Sequence, residues 1–149
     1  MEDPRKKFTP WLILLMVLIG PLQLSGAANV LRTTEQVFRP YIPEFPSLPT
    51  AILVYQGLMG TSIVVWLYTA WVLFRRESGT LHKAQTGYFV GAALRILGSF
   101  SIVVLGGLPS EMTNPMLQEM LPSVAISLVV VVAWSLYLTR SLRVREIYA

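Results

Sequence analysis

The stretch that decides the fold is AQTGYFVGAALRILGSFSIVVLGGL, residues 84–108. Its 25 residues include one charge, Arg95, and about 20 mostly apolar residues are enough for a helix to cross the hydrocarbon of a bilayer. Three further apolar runs lie at residues 8–31, 50–74 and 120–139, the last within a helix predicted over 116–139. The sequence therefore predicts an all-α membrane protein, an antiparallel bundle of four transmembrane helices that forms a single membrane domain over residues 1–149.

Composition agrees with this assignment. The 149 residues are 54% hydrophobic and 13% charged, which leaves too little polar surface to cover a water-soluble globule of that size. The chain has no cysteine, which excludes disulfides, thiolate nucleophiles and iron–sulfur clusters. We therefore expect an integral membrane protein without cysteine chemistry.

Basic residues are concentrated on one side of the predicted membrane. Nine of the 12 lie before the first run, between the second and third, or after the fourth: Arg5, Lys6, Lys7, Arg75, Arg76, Lys83, Arg140, Arg143 and Arg145. Because basic loops stay cytoplasmic, both termini are predicted inside. The net charge of +4 then reflects orientation and attraction to anionic lipids, and we expect no nucleic-acid partner.

The first run carries a Gly20-Pro21 pair, which predicts a kink because proline removes a backbone donor. Gln23 follows, and its amide is expected to satisfy the carbonyls that the proline frees. The basic start and the small residues at 25–28 also fit a cleavable signal peptide. We expect an uncleaved first helix.

The outer loop, residues 32–49, has a proline at every third position from Pro40 to Pro49, which is the repeat of a polyproline II helix. Ile42, Phe45 and Leu48 share one apolar stripe at this period. Two interpretations remain open. The loop is either a stiff strap over the outer helix ends or a rigid docking edge for a partner protein.

Other local patterns have simpler interpretations. The four tryptophans, Trp11, Trp66, Trp71 and Trp134, fall in the predicted cytoplasmic halves of their helices and indicate an aromatic belt at the headgroups. Asn114-Pro115 is typical of a helix N-cap followed by a first-turn proline, which would start the last helix near residue 116. His82, the only histidine, is interpreted as a solvated loop residue because metal sites need several convergent ligands.

The third run places Gly87, Gly91, Arg95 and Gly98 on one face of a helix, since residues four and seven apart lie together. Small residues let helices approach closely, so this face should meet a neighbouring helix. Arg95 is therefore not expected to point simply into lipid.

Arg95 needs hydrogen-bond acceptors, because a guanidinium has five donors and no acceptor. No predicted span carries an acid at a similar depth, which leaves Gln23, Gln56, Thr61, Ser99, a lipid phosphate, water or a partner's carboxylate. An intramembrane charge carries a functional presumption, here an anion site, a lipid-headgroup site or an inter-subunit ion pair. The alternative is an arginine whose long side chain reaches back towards the interface.

Catalysis is not expected. Ser101, Ser127 and Ser135 have no intramembrane base, and the spans lack the carboxylates that proton coupling requires. No metal or cofactor is predicted.

Two patches of the sequence carry a family resemblance. One is Trp11-Leu12 followed by Gly20-Pro21, and the other is the ending with Trp134, Tyr137, Ser141, Arg143-Val144 and Tyr148. Both patches resemble the bacterial inner-membrane family known as domain of unknown function 2569, and the middle of the chain matches in hydropathy alone. The resemblance implies a four-helix fold, a bacterial inner membrane and no known activity.

These features predict a non-catalytic small membrane subunit, scaffold or accessory protein of a larger membrane complex. Its contact elements would be the outer loop, the glycine face and Arg95, and its partners other integral membrane subunits and lipids. The alternative is a small homo-oligomeric transporter, or a lipid-binding or anion-binding membrane protein, that uses Arg95.

Overall fold

The computed structural model of the chain describes residues 10–19, 32–75 and 79–148, and this part contains helices and no strand. Its helices are α1 (Pro10–Ile19), α2 (Leu48–Arg75), α3 (Thr80–Leu105), α4 (Ser110–Arg140) and α5 (Leu142–Ile147). Residues 32–38 are also helical and lead into a 3-10 turn at Arg39–Tyr41.

Three of the predicted spans are confirmed as long apolar helices. The helices α2, α3 and α4 have 28, 26 and 31 residues and are long and apolar enough to cross a membrane. At about 1.5 Å per residue, even the shortest spans about 39 Å. The described part of the first predicted span is α1, a shorter apolar helix of 10 residues. The predicted kink at Gly20-Pro21 and the predicted role of Gln23 lie outside the described residues.

The helices α2 and α3 form an antiparallel pair. Their connection ends at Gly79, whose φ of 77° lies in the left-handed region that glycine adopts without strain. A Cβ built on Gly91 would lie 2.2 Å from the Trp66 ring, and one on Gly98 would lie 3.3 Å from the Leu58 side chain. The two backbones therefore approach closely along their length, as the glycine spacing of α3 predicts.

A hydrophobic core lies at one end of the molecule, which we call the basic end because it carries the exposed side chains Arg75, Lys83, Arg140 and Arg145. This core joins α1, α2, α3 and α4 with the C-terminal segment. The short helix α5 inserts Val144 and Ile147 into it, and the Tyr148 hydroxyl donates a hydrogen bond to the Leu73 carbonyl. The C-terminal segment is thus held against α2.

The polyproline II prediction for the outer loop is wrong. Ile42 has φ −54° and ψ −42°, which are helical angles, and the Phe45 amide donates to the Tyr41 carbonyl at 3.1 Å. Proline fixes φ near −65°, a value that turns, helices and polyproline II share, so the proline period alone does not choose among them. The predicted extended strap is in fact a series of compact turns ahead of α2, which begins at Leu48.

The apolar stripe of this loop nevertheless covers helix ends. Leu48 is fully buried, and Ile42 and Phe45 pack against the cluster that it forms with residues of α2 and α3. Burying these side chains stabilises the turns by roughly 1.5–3 kcal/mol for each one fully removed from water. The three residues proposed as contacts for a partner are therefore largely occupied by packing within the chain.

The start of α4 also differs from the prediction. The helix begins at Ser110, and Pro115 and Pro122 lie inside it, so Asn114-Pro115 does not form the N-terminus. Pro109 precedes the helix with an extended ψ of 157°, and Glu111 lies in the first turn, where the helix dipole favours a negative charge. These signals outweigh the loss of one backbone hydrogen bond at Pro115.

Two stretches of α4 are packed very differently. Its buried residues, Val131, Ser135 and Leu138, all lie in the half near the basic end. From Leu121 to Val130, in the middle of the helix, every side chain except that of Val124 is exposed. The buried stretch closes the core, and the exposed stretch leaves space between α4 and α3.

Candidate anion site in the helix bundle

A cavity of about 310 Å³ lies where α4 stands away from α3. It is lined from four helices by Leu18, Ile19, Trp66, Tyr88, Ala92, Arg95, Ile96, Ser99, Ser123, Val124, Ile126, Ser127, Val130, Val131 and Trp134. Most of these side chains are apolar, and Arg95 is the one charged residue among them. The cavity therefore combines a hydrophobic wall with a single positive charge.

Arg95 is far from both ends of α3. About 22 Å of helix separates it from Thr80 and about 15 Å from Leu105. Its guanidinium carbon lies 5.5 Å from the centre of the Trp66 ring, and that ring contacts α3 at Gly91. Since Gly91 precedes Arg95, the side chain runs towards the middle of the helix and not towards its nearer end at Leu105. The charge thus stays deep in the bundle and half-buried.

Trp66 is fixed in place by α3. Its indole N–H donates to the Tyr88 carbonyl at 3.2 Å, and its ring stacks on that of Tyr88 with the centres 6.1 Å apart. The missing side chain of Gly91 provides the space that the ring occupies. A cation over an indole face gains about 0.5–2 kcal/mol, more as water is excluded. The glycine therefore positions Trp66, and Trp66 supports Arg95.

Three serines add polar atoms to the lining. The Ser99 hydroxyl donates to the Arg95 carbonyl at 3.0 Å, and the Ser127 hydroxyl donates to the Ser123 carbonyl at 2.8 Å. A hydroxyl that donates once keeps two lone pairs. Ser99 and Ser127 can therefore accept hydrogen bonds from a ligand or from the guanidinium while remaining bonded to their own helices.

The side chains that line the cavity are suited to binding. Among the described residues, no group of three or more His, Cys, Asp or Glu side chains could hold a metal ion. The lining offers a cation, hydroxyls and a phenol, which together suit an anion with an apolar portion.

The predicted surroundings of Arg95 are only partly those observed. Ser99 shares the cavity with it, as predicted, whereas Gln56 and Thr61 do not line the cavity. The Thr61 hydroxyl donates to the Gly57 carbonyl of its own helix at 2.8 Å, and Gln23 lies outside the described residues.

The glycine face serves contacts within the chain. Gly87 lies against Thr69, Gly91 against Trp66 and Gly98 against Leu58, all of them residues of α2. These glycines therefore pack against α2 of the same chain, and not against another subunit as predicted from the sequence.

The tryptophan belt needs one correction. Trp66 is 7% exposed and lies in the interior, whereas Trp11 and Trp71 are at least half exposed, as a belt requires. Trp66 interacts with α3, and the period of α2 alone did not indicate which of its aromatic residues would meet a glycine.

Sequence reasoning missed Trp66, Tyr88, Ser123 and Ser127 as cavity residues. A weak signal existed, because Ser123 and Ser127 are four apart and share a face of an otherwise apolar helix. Whether that face of α4 lies at the same depth as Arg95 depends on how α4 packs against α3, which the sequence pattern does not show. Comparison with protein families, curated proteins and solved structures finds no match to this chain.

Proposed function

We propose that this protein is a non-catalytic membrane protein that binds an anionic amphiphile, with Arg95 as the charge that holds it. The observation that carries the proposal is the position of Arg95, the single charged side chain of an otherwise mostly apolar cavity of about 310 Å³. That cavity lies between helices long enough to cross the membrane. The ligand is therefore one that dissolves in the bilayer.

The energetics favour a functional arginine. A charge at the centre of a transmembrane helix costs about 2.5–3.5 kcal/mol on insertion scales. Trp66 recovers part of this cost by its cation–π contact. An anion bound in a medium of low dielectric constant would recover more, because charge attraction is strongest where water is scarce.

The test is binding to the purified chain in nanodiscs of phosphatidylcholine. Anionic and zwitterionic lipids are offered in competition, and the molecules retained are identified by native mass spectrometry. We expect selective retention of an anionic amphiphile by the wild type and its loss in Arg95→Leu. Arg140→Leu, which removes an exposed arginine at the basic end, is the matched control and should retain the ligand. Equal retention by both variants would remove Arg95 from the function.

The topology belongs to the same proposal. The position of both termini in the cytoplasm is supported by the sequence, in which nine basic residues lie before the first predicted span, between the second and third, and after the fourth. The resemblance to the domain of unknown function 2569 family supports four spans in a bacterial inner membrane. Cysteine labelling from either side of the membrane tests it, with single cysteines at Ser78 and at Glu44.

A second function, as an accessory subunit of a larger complex or as a homo-oligomer, is favoured by α4. Nine of the ten residues from Leu121 to Val130 are exposed, so a helix of another chain has room to pack there. Cross-linking from a cysteine at Leu128, 49% exposed, would capture such a neighbour, with Phe74, 67% exposed on α2, as the control position. A monomer with no cross-linked species at either position would contradict this second function.

A further inference from the structure

We infer that the anionic amphiphile is a long-chain carboxylic acid, with its carboxylate at Arg95 and its hydrocarbon chain along the exposed middle of α4, from Leu121 to Val130. This inference rests on the proposed function and narrows it to one chemical class. It is carried by three observations: the charge of the lining, the depth of the charge and the shape of the apolar wall.

The single positive charge among the described residues of the lining favours a ligand with a single negative charge. Arg95 is the one charged residue of the lining, and no carboxylate lines the cavity among the described residues. A zwitterionic headgroup would bring an ammonium group that meets no counter-charge, and a phosphate monoester would bring up to two negative charges to one cation. A carboxylate matches the guanidinium in charge, and its two oxygens match the planar fork of N–H donors.

Because Arg95 lies deep in the bundle, its position favours a headgroup that can become neutral while it crosses the hydrocarbon. About 15 Å of helix lies between Arg95 and the nearer end of α3. A carboxylic acid can cross that distance in its protonated, neutral form and ionise against the guanidinium. A phosphodiester remains charged at every physiological pH, so a phospholipid headgroup would have to cross the hydrocarbon as an ion.

The wall of the cavity suits a single hydrocarbon chain. Ile96 of α3 and Val124 and Val130 of α4 line the same cavity as Arg95, so apolar side chains from two helices surround the charge. Between Leu121 and Val130 the side chains of α4 are exposed, so a chain placed there continues into the surrounding lipid. A carboxylate of two oxygens also needs less room than a glycerophosphate, which matters in about 310 Å³.

Trp66 makes the inference measurable, because a heavy bromine atom quenches a tryptophan at short range. The other tryptophans are replaced in the triple variant Trp11→Phe, Trp71→Phe, Trp134→Phe, which leaves Trp66 as the reporter. Because Trp134 lines the cavity, native mass spectrometry first compares retention of the acid by this variant and by the wild type. The protein is placed in phosphatidylcholine nanodiscs and titrated with a dibrominated stearic acid. Its methyl ester and a dibrominated phosphatidylglycerol are titrated in parallel.

We expect saturable quenching by the acid, no saturable quenching by the methyl ester, and at most weak quenching by the phosphatidylglycerol. Arg95→Leu should weaken binding of the acid by about tenfold or more, and Arg95→Lys by less, because lysine keeps the charge without the fork. Arg140→Leu serves again as the control.

The outcomes separate the two proposals. Saturable, Arg95-dependent quenching by the phosphatidylglycerol but not by the acid would overturn the carboxylic acid and leave the proposed function intact. Quenching by neither would mean that another part of the chain or a second protein occupies the cavity, and both proposals would fall. If the triple variant does not fold, native mass spectrometry of the wild type with the same three probes gives the same decision.

Discussion

The two faces of α3 are packed in opposite ways. The face towards α2 is closed by glycines: Gly91 receives the Trp66 ring, and the Ser62 hydroxyl donates to the Gly91 carbonyl at 2.8 Å. Arg95 lies at the edge of this glycine face, with its guanidinium over Trp66, and together with Ser99 it borders the cavity on the side of α4. One helix thus combines a closely packed interface with an adjacent open one.

The difference shows how a site can form in a bundle of apolar helices. Lipid tails are as apolar as the side chains, so close packing, and not hydrophobicity, decides which helices adhere. Glycine on one face allows that packing with α2. Beside the glycines, the long Arg95 side chain borders a cavity that lies between α3 and α4. The packed face holds Trp66, which supports the Arg95 charge at the edge of that cavity.

The largest expected effect is that of filling the closely packed face. Gly91→Ala places a Cβ 2.2 Å from the Trp66 ring, which is held by its hydrogen bond to Tyr88 and cannot easily withdraw. We expect a loss of roughly 1–3 kcal/mol in the free energy of unfolding, as for other overpacked cores. Thermal and denaturant unfolding in detergent measure it.

The matched control for Gly91 is Gly57→Ala in α2, where an added Cβ meets nothing within 4 Å. Alanine favours a helix over glycine by up to about 1 kcal/mol, so this variant should be neutral or more stable. Equal losses in the two variants would contradict the closely packed interface.

Beside the cavity, removing the charge should abolish ligand binding without destabilising the protein. Arg95→Leu replaces an intramembrane cation by an apolar side chain. A charge at the centre of a transmembrane helix costs about 2.5–3.5 kcal/mol on insertion scales, so an arginine retained for binding can be replaced without loss of stability. Unfolding of the ligand-free protein decides this. A clear loss of stability would identify Arg95 as a structural anchor.

The basic end should depend on the C-terminal segment. Tyr148→Phe removes the hydrogen bond to the Leu73 carbonyl and leaves that buried acceptor with one partner fewer. We expect a loss of about 1 kcal/mol. Tyr68→Phe, at a residue that is 52% exposed, is the control and should have no effect. Limited proteolysis of the C-terminus gives an independent measurement, since a released α5 would be cut sooner.

The smallest effect is expected where α4 is tied to α3. The Gln85 amide donates to the Ser135 hydroxyl at 2.8 Å, between the two helices and near the basic end. Such bonds contribute about 0.6 kcal/mol in membrane proteins, so Gln85→Leu should cost little and a double-mutant cycle with Ser135→Ala should give a coupling of that size. Thr86→Val, which removes a hydroxyl bonded within α3, is the comparison variant. No coupling in the cycle would mean that α4 is held by apolar contacts alone.

Much of the fold could be predicted because it depends on local chemistry. Long apolar runs predicted three confirmed spans, and the four-residue spacing of Gly87 and Gly91 predicted a close helix neighbour. The outer loop was mispredicted because a proline period constrains φ and leaves ψ free. What set ψ there was burial of Ile42 and Phe45 against α2 and α3, a contact between segments distant in the sequence.

The candidate site was predictable only at its centre. Arg95 stands out in any reading of the chain, and Ser99 follows it at helical spacing. Trp66, Ser123 and Ser127 come from other helices, and their approach depends on interhelical distances that no local pattern encodes.

By itself the sequence determined a helical membrane protein with one deep arginine on a glycine-bearing helix, because hydropathy and helical period are properties of single segments. The tertiary structure decided that α2 fills the glycine face, that Trp66 lies under the guanidinium, and that α4 diverges to leave a cavity beside Arg95. The physical reason is that these outcomes depend on the relative packing of whole helices, where the shape of one surface is matched by residues far away in the chain.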